Sequence, residues 1–212
     1  MDVDEEEVYM VAVKEIITSV NELNNSGIVF GGDIAKVSKW PLNPEGEPLL
    51  LIATIKCAEL KQRTKLDSLP NDGVLSIFST YNKKDYFLEN ITYSGDPSEL
   101  EALRAGYTSV IFNVGADETV SPVASIPGEN KELQVREVLE DEFPVFSMCS
   151  QSLPKGLSVP EDFIRDYEFI MQIYSSDFAE PFEDAFYLTD AVGYLFLNRN
   201  GSGDGLFFVQ TG

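Results

Sequence analysis

One pattern limits what this chain can fold into more than any other. An apolar strand, a crossing, a tight turn and a second apolar strand occur once and then recur near the end. The first copy lies between Trp40 and Thr80. It holds the apolar run Leu49 to Ile55, then Ala58-Glu59-Leu60, then Leu69-Pro70-Asn71-Asp72-Gly73, then Val74 to Phe78. An apolar run bounded by proline and a polar turn marks a buried strand. In the turn, Pro70 presets its own φ and Gly73 accepts a positive φ without steric cost. The second copy runs from Phe169 to Leu197. Leu51 to Leu60 set over Phe169 to Phe178 brings apolar onto apolar, Ile55 onto Ile173 and Glu59-Leu60 onto Asp177-Phe178. Gly73 to Ile77 set over Gly193 to Leu197 completes it, with one short insertion between the blocks. This is a duplication of long period, not a short solenoid repeat.

The expectation from the sequence is therefore an α+β fold of antiparallel β-sheets in two pseudo-symmetric halves, with an N-terminal helix and a few short helices. Residues 1–212 read as one domain. Residues 1–27 hold the helix, 28–153 the first half and 154–212 the second, which repeats the 49–80 strand pair. The helix is predicted over residues 4 to about 24. Val8, Val11, Val13, Ile16, Ile17, Val20 and Leu23 recur near helical spacing, and Asp4, Glu5, Glu6 and Glu7 crowd the first turn, where the helix dipole favours anions. Ile28 to Phe30 reads as a strand, and Tyr86 to Leu88 and Ile91 to Tyr93 as sheet edge. Asp96-Pro97-Ser98-Glu99 starts a short helix by N-cap, proline and capping box. Strand-like content follows at Thr108 to Val114, Val120 to Ile126, Leu133 to Leu139, Phe143 to Met148 and Leu206 to Gln210. A short helix is expected over 161–168.

Charge is the outlier of the composition. Lys and Arg number 15 against 36 Asp and Glu, a net −21 with a pI near 4.1. Such a field repels nucleic acid and anionic membrane and attracts cationic partners, besides keeping the chain soluble. There is no histidine, so Ser-His-Asp and Cys-His hydrolases are excluded in their usual form. Gly31-Gly32 belongs to no GxGxxG or GxxxxGK[ST] pattern, and the loop Asn198 to Gly205 lacks the ligands of a calcium loop. No cofactor, metal or catalytic constellation is predicted. Cys57 and Cys149 read as buried thiols or as a disulfide. The acidic N-terminus is unlike a signal peptide, and no apolar run approaches the roughly 20 residues that span a bilayer. A cytoplasmic protein is the expectation.

Phe30-Gly31-Gly32, Trp40-Pro41, Pro48-Leu49, Glu59-Leu60 and Leu69-Pro70-x-x-Gly73-x-Leu75 resemble, in that order, the YwqG-like domain of unknown function. Gly106-Tyr107, Met171-Gln172-Ile173 and Asp190 to Phe196 extend the likeness over residues 28 to 210. The chain departs from the family pattern at Asp33 to Lys36, where a Pro-rich segment is usual, and at Thr108, where a proline is usual. The resemblance implies an α+β domain of antiparallel sheets. It carries over no catalytic residue. It also implies a context, because relatives act as immunity proteins beside bacterial polymorphic toxins.

The function expected is binding and neutralisation of a cognate secreted toxin. A nuclease is the natural target, because its groove must be basic to hold phosphates. The acids expected to meet it cluster in loops: Asp117, Glu118, Glu140, Asp141, Glu142, Glu180, Glu183 and Asp184. The alternative is a small-molecule or peptide-binding module, with Trp40, Tyr174, Tyr187 and Tyr194 lining a groove or packing in the core. A further alternative is a hydrolase using two of Glu59, Asp72, Asp177 and Asp190 across a cleft. Those acids read equally as turn caps.

Overall fold

The computed structural model describes residues 9–20, 25–115, 117–140 and 142–211. In chain order its elements are strands β1 (Met10–Thr18), β2 (Ile28–Phe30), β3 (Ile34–Ala35) and β4 (Leu50–Lys56), helix α1 (Cys57–Thr64) and strand β5 (Val74–Ser79). Helices α2 (Leu88–Ile91) and α3 (Pro97–Ala102) lead through a π-helical turn to β6 (Thr108–Asn113). Then come β7 (Thr119–Val120), β8 (Glu129–Leu139), β9 (Met148–Cys149), helix α4 (Glu161–Asp166), β10 (Tyr167–Tyr174), β11 (Val192–Asn198) and β12 (Gly205–Gln210).

Among the described residues, ten strands form one sheet in the order β12-β11-β10-β9-β1-β8-β2-β4-β5-β6, and β3 pairs with β7 apart from it. Every neighbouring pair in the large sheet is antiparallel. Its two ends curl into contact. The Thr108 hydroxyl on β6 donates to the Phe207 carbonyl on β12 at 2.6 Å. Gly203 and Gly205 bring the chain up against Phe112 and Val110. The result is a nearly closed barrel, which leaves little sheet edge open to stray pairing.

This overturns the expected α+β fold with its N-terminal helix. Residues 10–18 form β1, in the middle of the sheet and paired with β8 from Met10↔Leu139 to Thr18↔Lys131; residues 1–8 and 21–24 lie outside the described part. The physical reason is that Val11, Val13, Ile16 and Ile17 are β-branched and suit a pleated surface. Their spacing fits a strand used on both faces as well as a helix. Val13 packs outward with Val138 and Met148, while Ile16 joins the main core. Of the stretch expected at the sheet edge, Leu88–Ile91 forms helix α2 instead, while Thr92 makes a single parallel bridge to Val209 on β12. Of Val120 to Ile126 only Val120 is in a strand, and of Phe143 to Met148 only Met148. The capping box at Asp96 and Glu99 is present.

The sheet order reads alike from either end: β12-β11-β10-β9 mirrors β6-β5-β4-β2 about the β1-β8 pair. The ladders agree at one constant sequence offset. Leu51↔Phe78 falls on Phe169↔Phe196, and Ile55↔Leu75 on Ile173↔Gly193. Each ladder carries a bulge at the same place, at Ile52 and at Ile170. A bulge turns two consecutive residues to one side. Ile52 with Ala53, and Ile170 with Met171, all enter the barrel core. The offset sets Gly193 over Leu75 and Ala191 over Gly73, and no insertion is needed. Cys57 N donates to Gly73 O, and Ser175 N to Ala191 O, both at 3.0 Å.

Core and surface follow strand alternation. Leu75, Ile77, Leu195, Leu197, Phe207 and Val209 face inward with residues from β1, β2, β4, β9 and β10. Outward positions are not wasted on solvent. Over one half Trp40 covers Phe78 edge-on, with ring centroids 5.2 Å apart. Over the other Phe163 covers Phe196 the same way, at 5.1 Å. The Trp40 indole N–H is satisfied by the Leu49 carbonyl at 2.8 Å. Sheets apolar on both faces need such covers, and loops with a few short helices supply them.

Candidate functional site

Strand direction decides what sits at which end of the barrel. Five antiparallel steps separate β4 from β10, so the two run in opposite directions. The segment after β4, which contains α1, therefore closes one mouth. The equivalent segment after β10, residues 175–191, closes the other. Both plug the core with one apolar side chain at the matching position, Leu60 and Phe178.

At the 175–191 mouth lies a cleft of about 600 Å³. Leu50, Tyr81, Phe182 and Val123 form its apolar part, and Glu47, Asn82 and Lys83 its polar part. Tyr81 lies two residues past the end of β5, which sets it at the mouth. Its ring stands 6.0 Å from Phe182 and 5.7 Å from Tyr187, and Tyr187 meets Tyr86 at 5.0 Å. The Tyr81 hydroxyl donates to Asp184 Oδ1 at 2.7 Å. Asn82 Nδ2 donates to Glu47 Oε1 at 3.0 Å and to Asp85 Oδ2 at 3.3 Å. The Asn82 backbone N–H donates to the Tyr187 hydroxyl at 3.2 Å. Tyr187 holds φ of 70°, a costly conformation for a bulky residue. Its N–H donates to Asp184 O at 2.6 Å, which ties the strained turn to the acid that holds Tyr81.

Burial, then the Asp184 carboxylate, raise the Tyr81 phenol above its ordinary value; burial raises Tyr187 to about 12. Both phenols thus stay protonated at neutral pH; Tyr81 donates to Asp184, and Tyr187 accepts from the Asn82 N–H. Aromatic faces with carboxylates around them attract a cation, at about 0.5–2 kcal/mol per ring contact. The chain's own Lys83 already shows this preference, with its ammonium 5.9 Å from the Phe182 ring centre.

The expected partner acids fall into three groups that the structure does not bring together. Asp117 and Glu118 follow β6, and Glu140 and Glu142 follow β8; both strands run toward the α1 mouth. Glu118 is engaged by Lys36 at 2.5 Å. Asp141 lies outside the described residues. Glu180, Glu183 and Asp184 stand at the opposite mouth beside the aromatic cleft, with Asp184 tied to it through the Tyr81 hydroxyl. Of the aromatics named in the alternative reading, Trp40 and Tyr194 are buried in the two outer covers, and Tyr174 packs against the one that holds Tyr194. Tyr187 alone of the four joins the cleft's bonding. The four acids of the hydrolase reading are split between the mouths. Glu59 pairs with Lys56 at 3.2 Å, and Asp177 accepts from Ser147 N at 2.9 Å. Among the described residues no three Asp, Glu or Cys converge at metal-ligand spacing.

Cys57 and Cys149 are buried and free. Burial raises their thiols to about 11 and about 12. A thiol whose folded value exceeds its unfolded one adds stability below the unfolded value, and that stability is lost as pH climbs through the folded value. The thiols' share of stability should therefore be constant just below pH 9, and unfolding by urea should show a steady loss of stability from about pH 9 to about 12. At pH 8 a thiol reagent should label neither cysteine in the native protein and both in denaturant.

With this geometry described, comparison with known families is direct. The family described as "Domain of unknown function (DUF1963)" matches residues 30–169, from the end of β2 into β10. The chain belongs to the DUF1963 family. No curated protein matches it. The match spans β4, α1, β5 and the cleft residues Glu47, Tyr81 and Asn82, whereas Phe182 and Asp184 lie beyond it. Among the described residues no helix of this DUF1963 chain is long and apolar enough to cross a membrane.

Proposed function

We infer that the chain is a binding protein of the immunity type, which captures a basic protein toxin and carries out no bond-making chemistry of its own. The observation that carries this reading is the cleft at the 175–191 mouth. There the Tyr81 and Phe182 rings lie among Glu47, Asp184 and the adjacent Glu180 and Glu183. Such a cleft suits a Lys or Arg side chain from a partner, whose ammonium or guanidinium would take over the ring face that Lys83 now approaches. A net charge of −21 steers a cationic partner toward encounter, and an aromatic pocket at the centre of an acidic rim is the arrangement expected of a binding hot spot. A nuclease fits as the toxin, because a phosphate-binding groove is rich in the cations this surface would engage.

The experiment is co-expression. Cells carrying the toxin encoded beside this chain's gene should survive when the chain is made and die when it is not. Survival should be lost when Glu180, Glu183 and Asp184 are all changed to Lys. Death in the presence of the folded parent chain would end the proposal.

A small organic cation in the same cleft is the second reading, favoured by its volume of about 600 Å³, within the usual range of ligand pockets.

A further inference from the structure

The segments that close the two mouths differ in charge: residues 175–191 carry acids and no Lys or Arg, whereas the α1 segment carries Lys61, Arg63 and Lys65 beside its acids. Under the constant offset of the ladders, Lys61, Arg63 and Lys65 occupy the places of Ala179, Pro181 and Glu183. At the α1 mouth lies a second cleft, of about 340 Å³, between the inner face of β1, the end of α1 and the strand end at β9. Lys14, Arg63 and Lys65 line it together with Ser150, Gln151 and Ser152. None of the described residues lining it is acidic, in a chain where 36 acidic residues face 15 basic ones.

The cations are arranged, not merely gathered. Lys14 is a half-buried β1 residue on the same face as the core residue Ile16, which sets it at the barrel mouth. Its ammonium donates to the Arg63 carbonyl, satisfying one of the orphan acceptors at the end of α1 and tying the helix end to the barrel wall. Lys65 takes φ of 59° as the C-cap of that helix, which turns the chain across the cleft. Ser150 is buried, and its oxygen accepts from Ser152 N at 3.0 Å, leaving its O–H as a donor. Cys149 forms part of the lining. Burial raises its thiol to about 12, and the Lys14 charge acts on it in the opposite sense. Two ammonium groups, one guanidinium and serine hydroxyls form the donor set that takes a phosphate group, the guanidinium by paired N–H donors and the ammoniums as point charges.

We propose that the α1 mouth is a binding site for a phosphate-bearing small molecule, separate from the acidic cleft at the other end of the barrel. The volume leaves room for a sugar or nucleoside-sized body beside the phosphate. The chain's overall field opposes anions at long range. An anion held here is therefore held by these local donors and not by general attraction.

The test is titration calorimetry on the full chain with inorganic phosphate, adenosine 5′-monophosphate and citrate as separate probes. At least one phosphate compound should bind saturably at one site. Its affinity should fall at least about tenfold in the Arg63→Gln/Lys65→Gln double variant and stay unchanged in Lys83→Gln at the opposite mouth. Both replaced side chains are exposed, so the double variant should melt within a few degrees of the parent. Tighter binding of the nucleotide than of phosphate assigns the site to an organic phosphate, and equal affinities assign it to phosphate itself. The proposal is overturned if neither compound binds at about 10 mM, if citrate binds more tightly than both, or if the folded double variant binds as the parent does.

Discussion

Replacing Gly193 by alanine is expected to lower stability by about 3 kcal/mol, the upper range of overpacking in a filled core. Gly193 lies on β11 opposite Ile173, at a place where the repeat carries Leu75 in the first half. A Cβ there would come within 2.4 Å of Phe207 Cζ and 2.9 Å of Phe186 Cζ. Both rings are fully buried and pack against each other at 5.7 Å, so neither has free space to move into. The glycine is needed for room, since its φ is not positive. In a chain of this size the loss corresponds to roughly 6–12 °C in melting temperature. Trimming the obstacle should restore part of it: Gly193→Ala combined with Phe207→Leu should show a favourable coupling of about 1 kcal/mol or more in a double-mutant cycle. Gly128→Ala is the control, because its Cβ would meet Gly32 Cα at 3.4 Å with no positive φ to oppose it; that change should stay within about 0.5 kcal/mol of the parent. A Gly193→Ala protein as stable as the parent would mean that the two rings do not pack over this strand as described.

Changing Glu180, Glu183 and Asp184 to Lys is expected to weaken binding of the proposed toxin at least about 100-fold at low salt, close to 3 kcal/mol. The replacement removes three carboxylates beside the Tyr81–Phe182 cleft and sets three ammoniums against a basic partner. Asp184 contributes doubly, since it also accepts the Tyr81 hydroxyl at 2.7 Å. Changing Glu118, Glu140 and Glu142 to Lys alters net charge by the same amount at the opposite mouth. It should reduce affinity by less than about fivefold, mostly through slower association. The comparison separates a located interface from general attraction to a chain of charge −21. Equal losses from the two replacements would leave only general attraction.

The repeated strand pair was legible because buried strands flanked by turns announce themselves twice, at Leu49 to Phe78 and at Phe169 to Leu197. Its register was not. Gly73 and Gly193 look alike in a string of letters. Gly73 serves a turn at φ of 88°, however, and Gly193 makes room for two rings. β1 was misread because Val11, Val13, Ile16 and Ile17 satisfy helical and strand spacing alike; only its neighbours β8 and β9 decide between them. Closure of the sheet depends on Thr108 meeting Phe207, a contact between distant residues with no local signature. The acids Glu180, Glu183 and Asp184 were legible as a loop cluster and Tyr187 as a groove-lining ring, but Tyr81 and Phe182 beside them were not. A signal was present: Phe182 is set among them as Glu180-Pro181-Phe182-Glu183-Asp184, and Tyr81 follows an apolar strand just before Asn82-Lys83-Lys84-Asp85. Aromatics interleaved with charge at strand ends mark a mouth, whereas those within strands, such as Tyr194, mark the core.

Hydrogen exchange of the chain with and without the proposed toxin tests the central claim most directly, because it reports where such a partner sits independently of any substitution. The account predicts slowed exchange at Asn82 to Lys84 and over residues 178–188, with little change at Arg63 to Leu66 and Ser150 to Ser152. Slowed exchange confined to the α1 mouth, with the Tyr81–Phe182 cleft unaffected, would contradict it.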